Sequence, residues 1–208
     1  RFARGESIMA HNGMQAQLSR PLDFLVIADH AEALGIIASL RVSDPVLLET
    51  DTGKRLHQLF LESQSNSGEA IRADISKKFA DLLNIFNEKN YAQSIWKKVI
   101  ENADKYNEPG KFTTFVGYEW TSLGSTWNWD NLHRVVIFKD GFDKVSQVLP
   151  YSRFDSENPE ELWHYFEDYQ QKTGGGVLAI PHNGNTSNGK MFALVDLDGR
   201  PLSQTYAK

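Results

Sequence analysis

Four short apolar runs, separated by stretches of helical periodicity, limit the fold of this chain more than any other feature. The runs are residues 22–28 (LDFLVIA), 112–120 (FTTFVGYEW), 132–138 (LHRVVIF) and 177–180 (VLAI). Each is strand-length, and β-branched or aromatic side chains recur in them. The first is nearly continuous in apolar residues, which predicts a strand buried on both faces, as in parallel sheets. Residues 31–40 follow as a helix or helical turn. Across residues 69–87, Ile71, Ile75, Phe79, Leu82, Leu83 and Phe86 recur at three- and four-residue spacing, the stripe of an amphipathic helix. Residues 91–106 form a second such segment, and Glu108-Pro109-Gly110 stops it. A further helix opens at Ser156, with Pro159 in its first turn and Leu162, Phe166 and Tyr169 on one side. Gly174-Gly175-Gly176 ends it. Strand and helix in alternation predict an α/β architecture, either a barrel or an open sheet. Residues 1–208 form one domain in this reading, with a helical insertion at about 44–110.

Composition narrows the chemistry. With 40% hydrophobic and 12% aromatic residues, the chain can bury a core. Its 22 Lys plus Arg against 27 Asp plus Glu leave a formal charge of −5, without the basic footprint of a general nucleic-acid binder. No apolar run reaches about 18 residues, so the sequence predicts no membrane-spanning helix. There is no cysteine, which removes disulfides, thiolate metal sites and thiol nucleophiles. Any metal must be held by His, Asp and Glu.

Those residues gather where the apolar runs end. Asp29 and His30 follow the first run, Glu119 lies at the end of the second, and His182 follows the fourth. Strand ends on one side of an α/β sheet are where functional groups collect. His133 falls instead at the start of the third run. Either that strand begins elsewhere or it runs antiparallel to the others. Imidazole and carboxylate together suit Zn²⁺, Mn²⁺ or Fe. Taken singly, each residue has a plainer role: a loop hydrogen bond for a histidine, a salt bridge for Glu119, a helix cap for Asp29.

Residues 25–30 (LVIADH), Gly117-Tyr118-Glu119, Leu132-His133 and Ala179-Ile180-Pro181-His182 resemble, in order, four motifs of the polymerase and histidinol phosphatase (PHP) superfamily. Within it, Arg20 to Phe24, GYEWT at 117–121, NLHR at 131–134 and residues 181–192 resemble a group of long bacterial PHP-like proteins of uncharacterised function. The resemblance implies part of a distorted (β/α)₇ barrel with up to three Zn, Mn or Fe ions. It makes His30, Glu119, His133 and His182 metal ligands, with Glu119 bridging two ions and Asp29 orienting a ligand or a water. The superfamily's opening His-x-His and closing Asp-x-His motifs are not found in these 208 residues. This stretch alone is therefore expected to be inactive. Long relatives of this kind often carry export signals, which implies a periplasmic or secreted protein.

The expected activity is metal-dependent hydrolysis by an activated water, with an anionic ester, above all a phosphate ester, as the small-molecule substrate. Arg134, beside a proposed ligand, would neutralise developing charge, since guanidinium matches phosphate; its plainer role is a salt bridge. Two alternatives stand beside this one: a non-catalytic binding module with an incomplete metal site, and an amidohydrolase-like C–N hydrolase. Trp127 and Trp129 are candidates for a substrate mouth. Asn183, Asn185 and Asn188 are candidates for orienting a phosphate or sugar, or simply turn residues. His57 and His164 are expected at the surface or its boundary, and no motif claims His11.

Overall fold

A computed structural model of the protein describes residues 1–65, 85, 88–123, 130–196 and 198–202. The amphipathic stretch at 69–87, apart from Ile85, and both Trp127 and Trp129 lie outside the described residues.

A small antiparallel ribbon, β1 (Ile8–Met9) with β2 (Gln15–Ala16), precedes the main sheet. That sheet has four strands in the order β3 (Phe24–Val26), β4 (Thr113–Trp120), β5 (Arg134–Phe138) and β6 (Val177–Pro181). β3 runs parallel to β4, whereas β5 runs antiparallel to both β4 and β6. The architecture is therefore α/β with an open, mixed sheet. Among the described residues it does not close into a barrel, and β3 and β6 are its edges.

Helices fill the described part of the connection between β3 and β4. A 3₁₀ turn (Ala31–Ala33) leads into α1 (Ile36–Arg41), α2 (Pro45–Leu48), α3 (Asp51–Ser65) and α4 (Lys89–Tyr106). Asp44 starts α2 by accepting the Val46 N–H at 2.9 Å, an N-cap with Pro45 directly after it. Gly35 turns the chain between the 3₁₀ turn and α1 at φ 69°, and a Cβ there would lie 2.8 Å from Ile95 Cγ2. The turn can approach α4 this closely only without a side chain. After β5 come α5 (Phe142–Val145) and α6 (Pro159–Thr173). Asn158 caps α6 through the Glu160 N–H, and Gly174 ends it in the left-handed conformation, close to where the sequence placed its limits.

One face of the sheet is packed. Tyr91, Ile95, Trp96 and Ile100 of α4 and Leu162, Phe166 and Tyr169 of α6 join Val116, Tyr118, Trp120, Val136 and Phe138 in a single core. The rings meet edge-on, with Trp96 6.0 Å from Tyr118 and Phe138 5.0 Å from Tyr169 between centroids. Each such side chain contributes about 1.5–3 kcal/mol by leaving water. The other face is open. Phe24, Leu178 and Ile180 are 61%, 52% and 49% exposed. This corrects the expectation that the first run is buried on both sides, and the fourth run shares its exposure. Among the described residues both are edge strands, and the helices cover one face.

Candidate metal centre

The ends of three strands and the start of a fourth meet at one edge of the open face. His30 bridges Glu119 in parallel register just beyond β3, where the Glu119 N–H donates to the Asp29 carbonyl at 2.8 Å. Because β5 is antiparallel, its beginning lies where β4 and β6 end, and the His182 N–H donates to the His133 carbonyl at 2.9 Å. The direction of β5 thus accounts for His133 preceding its strand. Strand alternation then turns Glu119 to the open face while Tyr118 and Trp120 enter the core.

Among the described residues, His30, Glu119 and His133 form a group whose donor atoms all lie within 4.8 Å of one another, tight enough to hold a metal ion. Glu119 is at its centre. Its Oε1 is 2.7 Å from His133 Nδ1, 3.8 Å from His30 Nδ1 and 3.8 Å from His182 Nε2. Glu119 and His133 are both 7% exposed, whereas the His30 and His182 side chains are 51% and 43% exposed. One flank of the group is therefore buried and the other open to solvent. The His30 and His133 rings stand edge-to-face with centroids 5.2 Å apart.

Two features suit this group to a cation. With Nδ1 of His133 engaged by Glu119, its Nε2 is buried and has no hydrogen-bond partner among the described residues. A buried polar atom left unpaired costs roughly 1–3 kcal/mol, and a cation at Nε2 would use that lone pair. In addition, burial pushes the His133 imidazole below its ordinary pKa, and the hydrogen bond to Glu119 only partly offsets this. Burial thus favours the neutral ring, the form that ligates metals.

Residues 1–208 match the family described as "Protein of unknown function (DUF3604)". The chain belongs to that family. No curated protein and no solved structure matches it. The family description names no activity, so the chemistry of this DUF3604 chain rests on its residues.

His182 flanks the group at Glu119 without belonging to the set within 4.8 Å, and Asp29 and Arg134 are not brought to it. Asp29 faces the other way and lines a cavity of about 350 Å³ with Leu25, Ile27 and Arg4 on the helix side of the sheet. Nor does it cap the turn after it, where His30 holds the cap position without a side-chain bond. Arg134 neighbours His133 in sequence, but alternation sends it into the packed side. It is 3% exposed, sits over the Trp163 ring at 5.2 Å and donates to Met191 Sδ. That placement corrects its expected role beside the reacting group.

The sequence reading missed two polar residues near the group. Thr121 Oγ1 is 2.7 Å from His30 Nδ1. The i, i+2 spacing from Glu119 was the available signal, since it places both on one face. Glu32 is buried and accepts the Arg153 N–H at 3.0 Å, which ties the turn after His30 to the loop before α6. No local pattern marks that contact, which spans 121 positions. Asn188 donates to Asp130 at 2.6 Å, and Lys190 also binds that carboxylate, so the segment after His182 is anchored to the loop before His133. His57 is half-buried in α3 and His164 is exposed in α6, as expected of surface or boundary residues. No helix among the described residues is long and apolar enough to cross a membrane.

Proposed function

We propose that this DUF3604 chain carries the metal-binding core of a PHP-like hydrolase acting on phosphate esters. The observation that carries the proposal is the buried, unpartnered Nε2 of His133 beside Glu119 and His30. His30, Glu119, His133 and His182 would hold the cation, a nitrogen-and-carboxylate set suited to Zn, Mn or Fe. With His30, Glu119 and His133 as the close donors, a position would stay open for water, and His182, 3.8 Å from Glu119 Oε1, would serve that ion or a neighbouring one. A divalent ion there supplies Lewis acidity and activates water near neutral pH.

The chain's own part is placement. Glu119 sets its carboxylate among three imidazoles, and its bond to His133 Nδ1 leaves the buried Nε2 of that ring for ligation. The exposed His30 and His182 leave an approach for an ester from the open face. That face also supports the barrel reading. Phe24, Leu178 and Ile180 would be inner lining in a distorted (β/α)₇ barrel, with the ligands at its rim.

The test is to purify the full-length protein that carries these residues without chelators, measure its metal, and assay generic phosphomonoesters and phosphodiesters before and after chelation. Bound transition metal and ester hydrolysis that vanishes with chelator and returns with Zn²⁺ or Mn²⁺ are expected. Absence of bound metal, even after adding either ion, refutes the metal centre. Stoichiometric metal without turnover on either ester class refutes the phosphoesterase assignment and leaves the binding-module alternative.

A further inference from the structure

The Thr121 hydroxyl is 2.7 Å from His30 Nδ1, while Thr121 itself is 7% exposed. It follows β4 directly and joins Glu119 in facing His30. A β-branched side chain at such a site has restricted χ1, so the hydroxyl is held in place. We infer that Thr121 is a positioning residue that fixes the tautomer of His30, an inference that rests on the metal-centre reading above.

With Nδ1 directed at the hydroxyl, the His30 atom left for a cation is Nε2. Nε2 can ligate only with its lone pair free. In a neutral imidazole that places the proton on Nδ1, where it is donated to Thr121 Oγ1. Metal-bound histidines usually donate the second ring N–H to a carboxylate, a carbonyl or water, which sets tautomer and ring orientation. Here a threonine hydroxyl takes that place. Glu119 does the same for His133, so the two buried neighbours orient the two rings by separate acceptors.

Thr121→Val keeps the branched shape and removes the acceptor, whereas Thr121→Ser keeps the acceptor. Nitrogen NMR of the metal-free protein at about pH 8, where an ordinary imidazole is neutral, reads the tautomer directly, with His30 assigned from a His30→Gln sample. Zn²⁺ affinity is measured in parallel by competition with a chromophoric chelator. Wild type and Thr121→Ser should show His30 protonated at Nδ1. Thr121→Val should gain the Nε2-protonated form and bind Zn²⁺ about 10–100-fold more weakly, with its unfolding transition retained. A wild-type His30 protonated at Nε2, or a valine variant with unchanged tautomer and affinity, overturns the inference. If wild type binds no Zn²⁺ yet the tautomer shifts on substitution, the metal reading fails and the hold of Thr121 on His30 stands.

Discussion

Glu119→Gln separates the charge of the central carboxylate from its shape. Glutamine has nearly the same volume and keeps an oxygen that can accept from His133 Nδ1, now 2.7 Å away. A hydrogen bond to a charged acceptor, about 1.5–3 kcal/mol, becomes a neutral one of about 0.5–1.5 kcal/mol. Relief from holding a buried charge opposes that loss, so the metal-free stability should change by about 1 kcal/mol or less. Metal binding has no such compensation. The amide carries no full negative charge opposite His30 and His182, each 3.8 Å from the present oxygen, and affinity should fall by about 100-fold. At free metal of about 100 times the wild-type Kd, the wild type gains about 2.7 kcal/mol of stability, whereas a variant with Kd raised about 100-fold gains only about 0.4 kcal/mol. Denaturant unfolding with and without Zn²⁺ or Mn²⁺, with metal content measured on the same samples, reads both quantities. Equal metal-dependent gains in the two proteins would remove Glu119 from the centre.

Two further predictions concern the frame around the site. At Gly117, a Cβ would lie 2.5 Å from Val26 Cγ2 and 2.7 Å from the Val136 carbonyl oxygen, so Gly117→Ala should cost about 1–3 kcal/mol by overpacking. By pushing β3 off β4 it should also weaken metal binding, and unchanged denaturation and metal content would contradict the close approach. The ion pair of Lys98 with Asp44, 2.6 Å apart, holds the Asp44 carboxyl below its ordinary pKa. A depressed carboxyl adds stability that is present above about pH 4 and lost as pH falls through the folded-state value. Asp44→Ala should therefore cost about 0.5–2 kcal/mol at neutral pH, through the lost cap of α2, and less in acid; a pH-independent difference would refute the linkage.

The sequence by itself determined the elements and the donor inventory. Apolar runs of strand length, the stop after Tyr106 and the Asn158-Pro159 start of α6 are local signals, set by backbone geometry within a few residues. The order Asp29-His30, Glu119, His133, His182 along those runs was legible in the same way, and three of these residues form the tight group. Alternation could also have separated His133 from Arg134 and joined Glu119 to Thr121, because adjacent strand residues face opposite ways.

Only the tertiary structure decided strand direction and coverage. A period-two pattern is the same read in either direction, so nothing local to residues 132–138 makes β5 antiparallel; its neighbours β4 and β6 do, and this brings His133 to the strand ends. Likewise an apolar run specifies a strand but not how many of its faces are covered. That depends on where α4 and α6 pack, and they leave Phe24, Leu178 and Ile180 exposed on the face that carries the donors. The unpartnered Nε2 of His133 arises at this level too, since burial and the bond to Glu119 exist only once three separated segments have met.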